Sequence, residues 1–227
     1  MEQEKDIKAI AREVKEYSKV MPKIKNLVIS DNLRNLINQE IDLLLNRTYN
    51  VSGEITSNIM NLCKDKESYL VELEHCYKSR ERIFEKVYNF VNKDLSVFEA
   101  IDKIEDSLRF TYIIINSNDY INKVNEYIDK LESFGYHVYE VLNCWGDEYY
   151  QGLNIIFEYE RVKFEVQFHT INSFHIKEGY TREPYMVIRN NLSNQEMIDK
   201  ANIVRKYYQK QVIAPDGATS FQYKKNR

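Results

Sequence analysis

The sequence predicts a mixed α/β fold, in which helices flank a β-sheet and a helical region comes first. Residues 1–76 carry apolar residues at helical spacing, which predicts packed helices. Residues 108–115 and 136–145 are rich in β-branched and aromatic residues, with a helical pattern between them. Residues 163–170 alternate strictly between polar and apolar side chains, which is the period of a strand with one buried face.

Length and composition limit the classes of protein to which this chain can belong. The 227 residues suffice for one domain, or for one domain with an appendage. The net charge of -3 argues against a general nucleic-acid coat. Cys63, Cys76 and Cys144 form no CxxC pair, which favours a reducing compartment and argues against structural zinc. No apolar run approaches membrane-spanning length and the first residues lack an apolar signal segment, so we expect a soluble, cytoplasmic protein without a membrane partner.

Three amphipathic helices are predicted in the N-terminal region. The first covers residues 2–20 and is followed by Pro22, which cannot continue it. The second begins after Ser30, and the third covers residues 53–76. None of them carries obvious catalytic residues. We therefore interpret residues 1–76 as a helical region whose apolar faces pack together.

A new helix is predicted after Ser79, a plausible N-cap residue. Four cations crowd its start: Lys78, Arg80, Arg82 and Lys86. Cations are disfavoured at the N-terminal end of a helix dipole, so an anion-binding site is one interpretation of this cluster. A solvated charged face is the other, and it is the commoner explanation of such runs.

The central part of the chain predicts strand, helix and strand. Ser96 and Glu99 form the pattern of a capping box for a short helix. The strand at 108–115 follows, then a helix that ends at Gly135, then the strand at 136–145. This order is typical of a βαβ unit or of a neighbouring-strand variant of it.

A β-hairpin is predicted next, from strands at 153–159 and 163–170. Its loop is predicted to be the two residues Glu160 and Arg161, although this pair suits a type I′ turn poorly. Any even loop length collects the same polar residues on one face: Tyr150, Asn154, Glu165, Gln167 and His169. An ordinary amphipathic hairpin with a solvated polar face is the alternative interpretation.

The C-terminal part predicts two further helices and a tail. The first helix runs from residue 172 and ends before Pro184. Ser193, with Glu196, is the expected cap of the last helix. Residues 213–227 are expected to form a polar, mobile tail.

Two acids stand out by their positions in these elements. Asp106 lies at the start of the strand at 108–115, and Glu165 lies on the polar face of the hairpin. Carboxylates on neighbouring strands, with a cationic helix start nearby, suit Mg²⁺-assisted phosphoryl or pyrophosphoryl transfer. The alternative is that Asp106 caps a turn and Glu165 pairs with a surface cation.

The order of four motifs resembles the synthetase domain of the RelA/SpoT alarmone enzymes. The resemblance covers about residues 76–189, and its last motif is the most specific. The motifs are Lys78-Ser79-x-x-Arg82-Ile83-x-x-Lys86, Asp106-x-x-Arg109, Tyr150-Gln151-Gly152-Leu153-Asn154 and Glu165-Val166-Gln167-Phe168-His169-Thr170. The chain departs from the family pattern at several positions, where Cys76 replaces an arginine, Asn154 a histidine and His169 an arginine.

The resemblance implies a nucleotidyltransferase-like mixed sheet and a pyrophosphokinase. Such an enzyme transfers the β,γ-pyrophosphate of an ATP donor to the ribose 3′-hydroxyl of a guanine or adenine nucleotide. The implied metal is Mg²⁺, held by Asp106 and Glu165, with Glu165 also assisting deprotonation of the acceptor. The other implied catalytic residues are Arg109 and Gln167. The implied nucleotide-binding residues are Lys78, Arg80, Arg82, Lys86, Tyr150, Asn154 and His169, with Tyr150 stacking on the acceptor base.

Several alternatives stay open within this resemblance. The synthetase domain is assigned to residues 77–212. A chain of this kind is either a housekeeping synthetase or a growth-inhibiting toxin, and a toxin would have a neutralising antitoxin or immunity protein as its partner. A toxin that modifies the 3′ end of tRNA is less favoured, because a tRNA backbone calls for a basic surface. A catalytically inactive nucleotide-binding module is the remaining alternative. The acceptor and the oligomeric state do not follow from the sequence.

Overall fold

A five-stranded mixed sheet with flanking helices forms the centre of the molecule. The computed structural model describes residues 2–20, 29–190 and 194–223. The strands are β1 (Ser68–Val71), β2 (Leu108–Ile114), β3 (His137–Asn143), β4 (Leu153–Tyr159) and β5 (Val162–Thr170). The helices are α1 (Glu2–Val20), α2 (Asp31–Asn61), α3 (Arg80–Val91), α4 (Val97–Asp102), α5 (Tyr120–Ser133), α6 (Ile171–Ile176), α7 (Arg182–Asn190) and α8 (Gln195–Gln209). None of the helices in these described ranges combines the length and apolar character needed to cross a bilayer.

The sheet order is β1-β2-β5-β4-β3, which confirms the predicted α/β class with a mixed sheet. β2 and β5 are parallel, and the other neighbouring pairs are antiparallel. The two strands joined by α5, β2 and β3, are not neighbours, because the β4–β5 hairpin lies between them. β2 and β3 run parallel in the same sheet, so β2, α5 and β3 form a βαβ unit, as one of the two predicted alternatives has it, whereas the neighbouring-strand variant was wrong.

The predicted hairpin register is confirmed. Tyr159 pairs with Val162, which places Asn154 opposite Gln167 across the two strands. Glu160 and Arg161 both have positive φ, at 48° and 64°, as a two-residue type I′ loop requires. The right-handed twist of the two long strands favours this loop even though neither residue prefers it.

The apolar face of the sheet supplies the main core. Phe110, Tyr112, Phe164, Val166 and Phe168 are all buried there. The ring of Tyr112 stacks on that of Phe168 at 5.6 Å and contacts that of Tyr127 in α5 at 5.0 Å. A second apolar cluster joins α2, α3 and α4. This cluster fixes α3 beside the start of β2, where the predicted cationic cluster lies.

The predicted helix starts are confirmed at three positions. Ser30 and Ser79 each accept a hydrogen bond from a backbone N–H in the first turn of α2 and α3. Ser96 and Glu99 form the capping box of α4. α1 ends at Val20, and Pro22, predicted to follow it, lies outside the described residues.

The helix predicted over residues 53–76 was wrong in its second half. α2 continues to Asn61, and residues 68–71 then form the edge strand β1. Lys66, at φ 63°, reverses the chain between them. Leu70 pairs with Tyr112 of β2, so the open edge of β2 decides the conformation of this segment. Its apolar spacing alone favours a helix.

The sequence predicts that a helix ends before Pro184, and this prediction was wrong. α6 passes through a π-helical turn, Lys177–Thr181, into α7, and Pro184 lies in the first turn of α7. Pro184 therefore lies within a continuous helical run, in which it lacks the backbone N–H that would donate to the preceding turn. Asn194 caps α8, whereas Ser193, the predicted cap, lies outside the described residues.

The described part of the predicted tail is packed rather than free. Ala218 and Phe221 are buried, and Nδ2 of Asn143 donates hydrogen bonds to both of their carbonyl oxygens, at 2.9 and 3.3 Å. Asn143 belongs to β3. Residues 213–223 are thus held against the edge strand of the sheet, because their few apolar side chains find a site there.

Candidate active site

The polar face of the sheet collects most of the predicted site residues. Arg109 of β2 lies opposite Glu165 of β5. In the next row, Thr111 lies opposite Gln167, which in turn lies opposite Asn154 of β4. Because β5 pairs with strands on both sides, its alternate polar residues form the middle of each row.

Asp106 lies just before β2 and is paired with two lysines. Nζ of Lys86 donates to Oδ1 of Asp106 at 3.0 Å, and Nζ of Lys78 donates to Oδ2. Burial raises the pKa of Asp106, but the charges of the two lysines and their hydrogen bonds outweigh it and lower the pKa to about 2. Burial also lowers the pKa of Lys78, against the opposing charge of Asp106. The cluster therefore holds three charges in a partly buried site.

Backbone contacts position this cluster. The N–H of Lys78 donates to the carbonyl of Ser107 at 3.0 Å, and the N–H of Arg109 donates to the carbonyl of Cys76 at 2.8 Å. The segment before α3 thus runs along the start of β2. This arrangement holds Lys78 beside Asp106, while Lys86 reaches the same carboxylate from the second turn of α3.

Glu165 is a buried acid, with 8% of the residue exposed. Its Oε2 lies 4.0 Å from Nε of Arg109. Burial raises the pKa of Glu165, Arg109 opposes the rise and the charge of Asp106 adds to it, so the pKa stays above its usual value. A carboxylate with a raised pKa is suited to accept a proton at a pH nearer neutrality.

Lys177 belongs to this face, although the sequence did not single it out. Its Nζ donates to Oε1 of Gln167 at 3.0 Å and lies 3.4 Å from Oε1 of Glu178. Burial lowers the pKa of Lys177, and the nearby charge of Arg109 adds to this effect. Arg189 of α7 also lies close enough for its charge to lower the pKa of Lys78. Neither cation belongs to the four motifs, and Lys177 lies at the C-terminal end of α6, the helix that directly follows β5.

Tyr150 is hydrogen-bonded to two other predicted site residues. Its hydroxyl donates to Oδ1 of Asn154 at 2.7 Å and lies 3.0 Å from Nε2 of His169. His169 is fully buried, and its Nδ1 lies 3.0 Å from the hydroxyl of Ser173. Burial lowers the pKa of His169 well below its usual value, so the ring is neutral at pH 7. His169 therefore cannot supply the positive charge of the arginine that it replaces in the family pattern.

Gly152 faces His169, as the predicted register requires. A Cβ at this position would lie 2.7 Å from Cε1 of His169 and 3.1 Å from the hydroxyl oxygen of Tyr150. No side chain fits there, so the glycine allows the ring of His169 and the hydroxyl of Tyr150 to meet.

Two of the four predicted cations do not join Asp106. Arg80 forms an ion pair with Asp42 of α2 and donates to the carbonyl of Asn38 at 3.2 Å. Arg82 is exposed. Arg80 lies on the side of α3 that packs against α2, which the helix period predicts only once the position of α2 is known.

The acids fit a magnesium ion that is shared with a substrate. Among the described residues no three side chains of His, Cys, Asp or Glu are close enough to form a metal cluster. Mg²⁺ commonly uses one or two carboxylates, completing its ligands with water and substrate phosphates. Asp106 and Glu165 are near enough for one to raise the pKa of the other, and they match that donor set.

A large groove lies elsewhere on the molecule. It has a volume of about 990 Å³, lies between α1, α6 and α8, and its lining includes Ile7, Ile176 and Tyr208. It contains none of the predicted site residues. The candidate site is therefore identified by its chemistry rather than by the size of a cavity.

Comparison with known proteins gives matches among solved structures alone: no protein-family model and no curated protein matches the chain. One similar structure is smu.1046c from Streptococcus mutans UA159, with 12% identity and a TM-score of 0.48 over 75% of this chain and 89% of that one. Another is the small alarmone synthetase 2 from Bacillus subtilis, with 17% identity and a TM-score of 0.47 over 75% and 94%. A third is the small alarmone synthetase 1 from Bacillus subtilis, with 13% identity and a TM-score of 0.46 over 80% and 93%. The solved structures similar to this chain thus include small alarmone synthetases, the class that the motifs predict.

Proposed function

We propose that this chain is an ATP-dependent nucleotide pyrophosphokinase. The observation that carries the proposal is a pair of acids in contrasting surroundings: Asp106, just before β2, is paired with two lysines, and Glu165 is buried on the polar face of the sheet. Asp106 has a lowered pKa beside two lysines, and Glu165 has a raised pKa beside Arg109. Environments that shift the pKa values of two acids in opposite directions suit the two acids to different roles, one at a metal or phosphate site and one as a proton acceptor.

On the donor side, Lys78 and Lys86 bind the triphosphate of ATP. In the protein without nucleotide both lysines pair with Asp106. With phosphate oxygens as the partners of the two lysines, Asp106 and Glu165 would be the residues that hold Mg²⁺. A bound Mg²⁺ would supply positive charge to the phosphate oxygens on which negative charge develops.

On the acceptor side, Glu165 takes the proton of the ribose 3′-hydroxyl. The 3′-oxygen then forms a bond to the β-phosphorus of ATP, the bond from that phosphorus to the bridging oxygen of the α-phosphate breaks, and AMP leaves. Arg109 and Lys177 stabilise the carboxylate form of Glu165 by their charges. The ring of Tyr150 stacks on the acceptor base, and Asn154 and His169 hold its hydroxyl in place.

The test is incubation with γ-labelled ATP and each of GDP, GTP, ADP, AMP and bulk tRNA. We expect label in one class of acceptor, with one AMP released for each acceptor labelled. The Glu165→Gln variant, prepared in parallel, controls for contaminating kinases. ATP binding without label in any acceptor would identify an inactive nucleotide-binding module instead.

Lys86→Ala is expected to raise the KM for ATP by about 10- to 100-fold, because a charge-assisted hydrogen bond contributes about 1.5–3 kcal/mol. The measurement is an ATP titration at saturating acceptor. Lys93→Ala is the matched control, since Lys93 is exposed just beyond the end of α3. Equal KM values for wild type and Lys86→Ala would show that the start of α3 is a solvated face.

Tyr150→Ala is expected to raise the acceptor KM by about 5- to 150-fold, because base stacking on an aromatic ring contributes about 1–3 kcal/mol. Tyr150→Phe keeps the ring but leaves Oδ1 of Asn154 without its donor. We expect it to retain acceptor affinity and to lower the melting temperature. Measuring acceptor KM at saturating ATP beside the melting temperature separates the two roles. A loss of stability in Tyr150→Ala without a change in KM would remove Tyr150 from the site.

A further inference from the structure

Arg205 of α8 is a cation that forms no ion pair with any acid in the described part of the chain. Its guanidinium lies between the rings of Tyr149 and Tyr185, with its Cζ 5.2 and 5.4 Å from their centroids. Its Nη2 donates to the carbonyl of Tyr149 at 3.1 Å, while its buried Nε has no hydrogen-bond partner among the described residues. Burial lowers the pKa of Arg205, although the charge of Asp147 opposes this. The described part of the chain places no carboxylate oxygen within 4.0 Å of it.

Gln209 lies one turn further along the same side of α8. The residue is 1% exposed, and neither its Oε1 nor its Nε2 has a hydrogen-bond partner within the described ranges. A buried amide without partners costs about 1–3 kcal/mol per polar group, and native proteins rarely keep one without a reason. Two side chains one turn apart on α8 therefore carry buried polar atoms without hydrogen-bond partners in the described part of the chain.

The loop against which these side chains pack also carries Tyr150. The side chain of Gln151 donates to the backbone carbonyl of Gln209 at 3.1 Å. Asp147 accepts hydrogen bonds from the N–H groups of Tyr149 and Tyr150, at 2.6 and 2.9 Å, which fixes the turn. Tyr149 thus contacts α8, while the next residue along the chain contacts the polar face of the sheet.

We propose that Arg205 and Gln209 form a subsite for the phosphate on the 5′ side of the acceptor ribose. This inference rests on the proposed function. Contact with the two tyrosine rings restrains the guanidinium. Its planar set of N–H donors matches the oxygens of a phosphate group. The amide Nε2 of Gln209 is a second donor. The phosphate is either the 5′-phosphate of a free nucleotide or the phosphodiester that precedes the last nucleotide of an RNA.

The alternative is that Arg205 only attaches the loop to α8 by packing. Stacked arginines do stabilise loops through their apolar stems and planar heads. This explanation accounts for the two tyrosine rings and for the bond to the carbonyl of Tyr149. It leaves two buried donors unexplained, the Nε of Arg205 and the Nε2 of Gln209, and a bound phosphate would accept from both.

The test is calorimetric binding, without ATP, of guanosine, GMP and GDP, and of adenosine, AMP and ADP. We expect wild type to bind the phosphate-bearing members of one series more tightly than the nucleoside. Arg205→Gln is expected to weaken the binding of those members by about 10- to 100-fold and to leave nucleoside binding within about twofold. Lys206→Gln, at the adjacent position, where the lysine is paired with Glu148, is the matched control and should change neither. A short RNA with a free 3′ end, titrated in the same way, distinguishes the two sources of the phosphate.

Three results would overturn the subsite. They are equal binding of nucleoside and nucleotides by wild type, equal weakening of all ligands in Arg205→Gln, as loss of loop packing would produce, and no weakening of any ligand in that variant. If Arg205→Gln does not fold, Gln209→Met, of similar shape, replaces it and must show a phosphate-specific loss of about fivefold. Because binding is measured without ATP, a phosphate-specific loss in a protein that transfers no pyrophosphate would uphold the subsite and refute the proposed function.

Discussion

Glu165→Gln is expected to lower the turnover of pyrophosphate transfer by at least about 10²-fold while the protein stays folded. Glutamine has nearly the same shape as glutamate, so the buried position beside Arg109 is filled. It cannot accept the proton of the acceptor hydroxyl or bind a metal as an anion. Turnover at saturating ATP and acceptor, with a melting curve of the same preparation, measures both expectations.

The matched control is Glu158→Gln on the neighbouring strand. Glu158 is half-buried, pairs in register with Lys163 in the row next to that of Glu165, and is not one of the predicted site residues. We expect it to retain wild-type turnover. If Glu165→Gln does so too, Glu165 is neither the proton acceptor nor a metal ligand, and the site assignment fails.

The pH dependence of the rate follows from the raised pKa of Glu165. A general base must be ionised, so kcat/KM is expected to rise with pH through the pKa of Glu165 in the free enzyme. Burial moves this pKa above the usual value of 4.5, and the acid limb of the profile therefore lies above pH 4.5. Residual activity in Glu165→Gln should lack this limb.

Asp106→Asn is expected to lower the free energy of unfolding at pH 7 by about 2 kcal/mol, as well as to weaken turnover and Mg²⁺ dependence. The folded pKa of about 2 lies below the ordinary value of 3.8, and each pKa unit corresponds to about 1.4 kcal/mol. The side chain is 18% exposed, so solvent screens the pairing little. The variant also leaves Lys78 and Lys86 without their shared partner.

The direction of the pKa shift of Asp106 determines the pH range over which this residue stabilises the folded protein. Because the folded pKa of Asp106 is depressed, its contribution to stability is present above pH 3.8 and is lost as the pH falls toward 2. Urea unfolding of wild type and Asp106→Asn at pH 7 and at steps below pH 4 should show the two stabilities converging. Asp102→Asn, at an exposed acid in the same connection, is the control. A constant difference across this range would contradict the pairing of Asp106 with the lysines.

The faces of the hairpin residues could be predicted from the sequence, because alternation is a local property. The pattern at 163–170 and a two-residue loop at Glu160 and Arg161 place Asn154 opposite Gln167, and the structure has that pairing. The helix caps at Ser79 and Ser96 were predictable for the same reason, since a cap involves only residues within one turn.

Features that depend on distant partners could not be predicted in this way. β1 is a strand because β2 offers an open edge, and nothing within its four residues indicates this. Arg80 binds Asp42 rather than an anion beside Lys86 because α2 packs next to α3. Lys177 reaches Gln167 because α6 begins directly after β5 and carries Lys177 at its end back to that strand, a return that no local pattern indicates.

The central position of β5 has a consequence for synthesis of the chain. The side-chain contact between Thr111 and Gln167 joins residues 56 positions apart, and the strand that carries Gln167 is the last strand of the sheet to be made. Until β5 has emerged from the ribosome, β2 and β4 both have an unpaired edge that can recruit other extended chains. A prematurely terminated chain that lacks β5 therefore has Asp106 but not Glu165. Such fragments are targets for proteolysis and aggregation, and they cannot consume ATP by the proposed reaction.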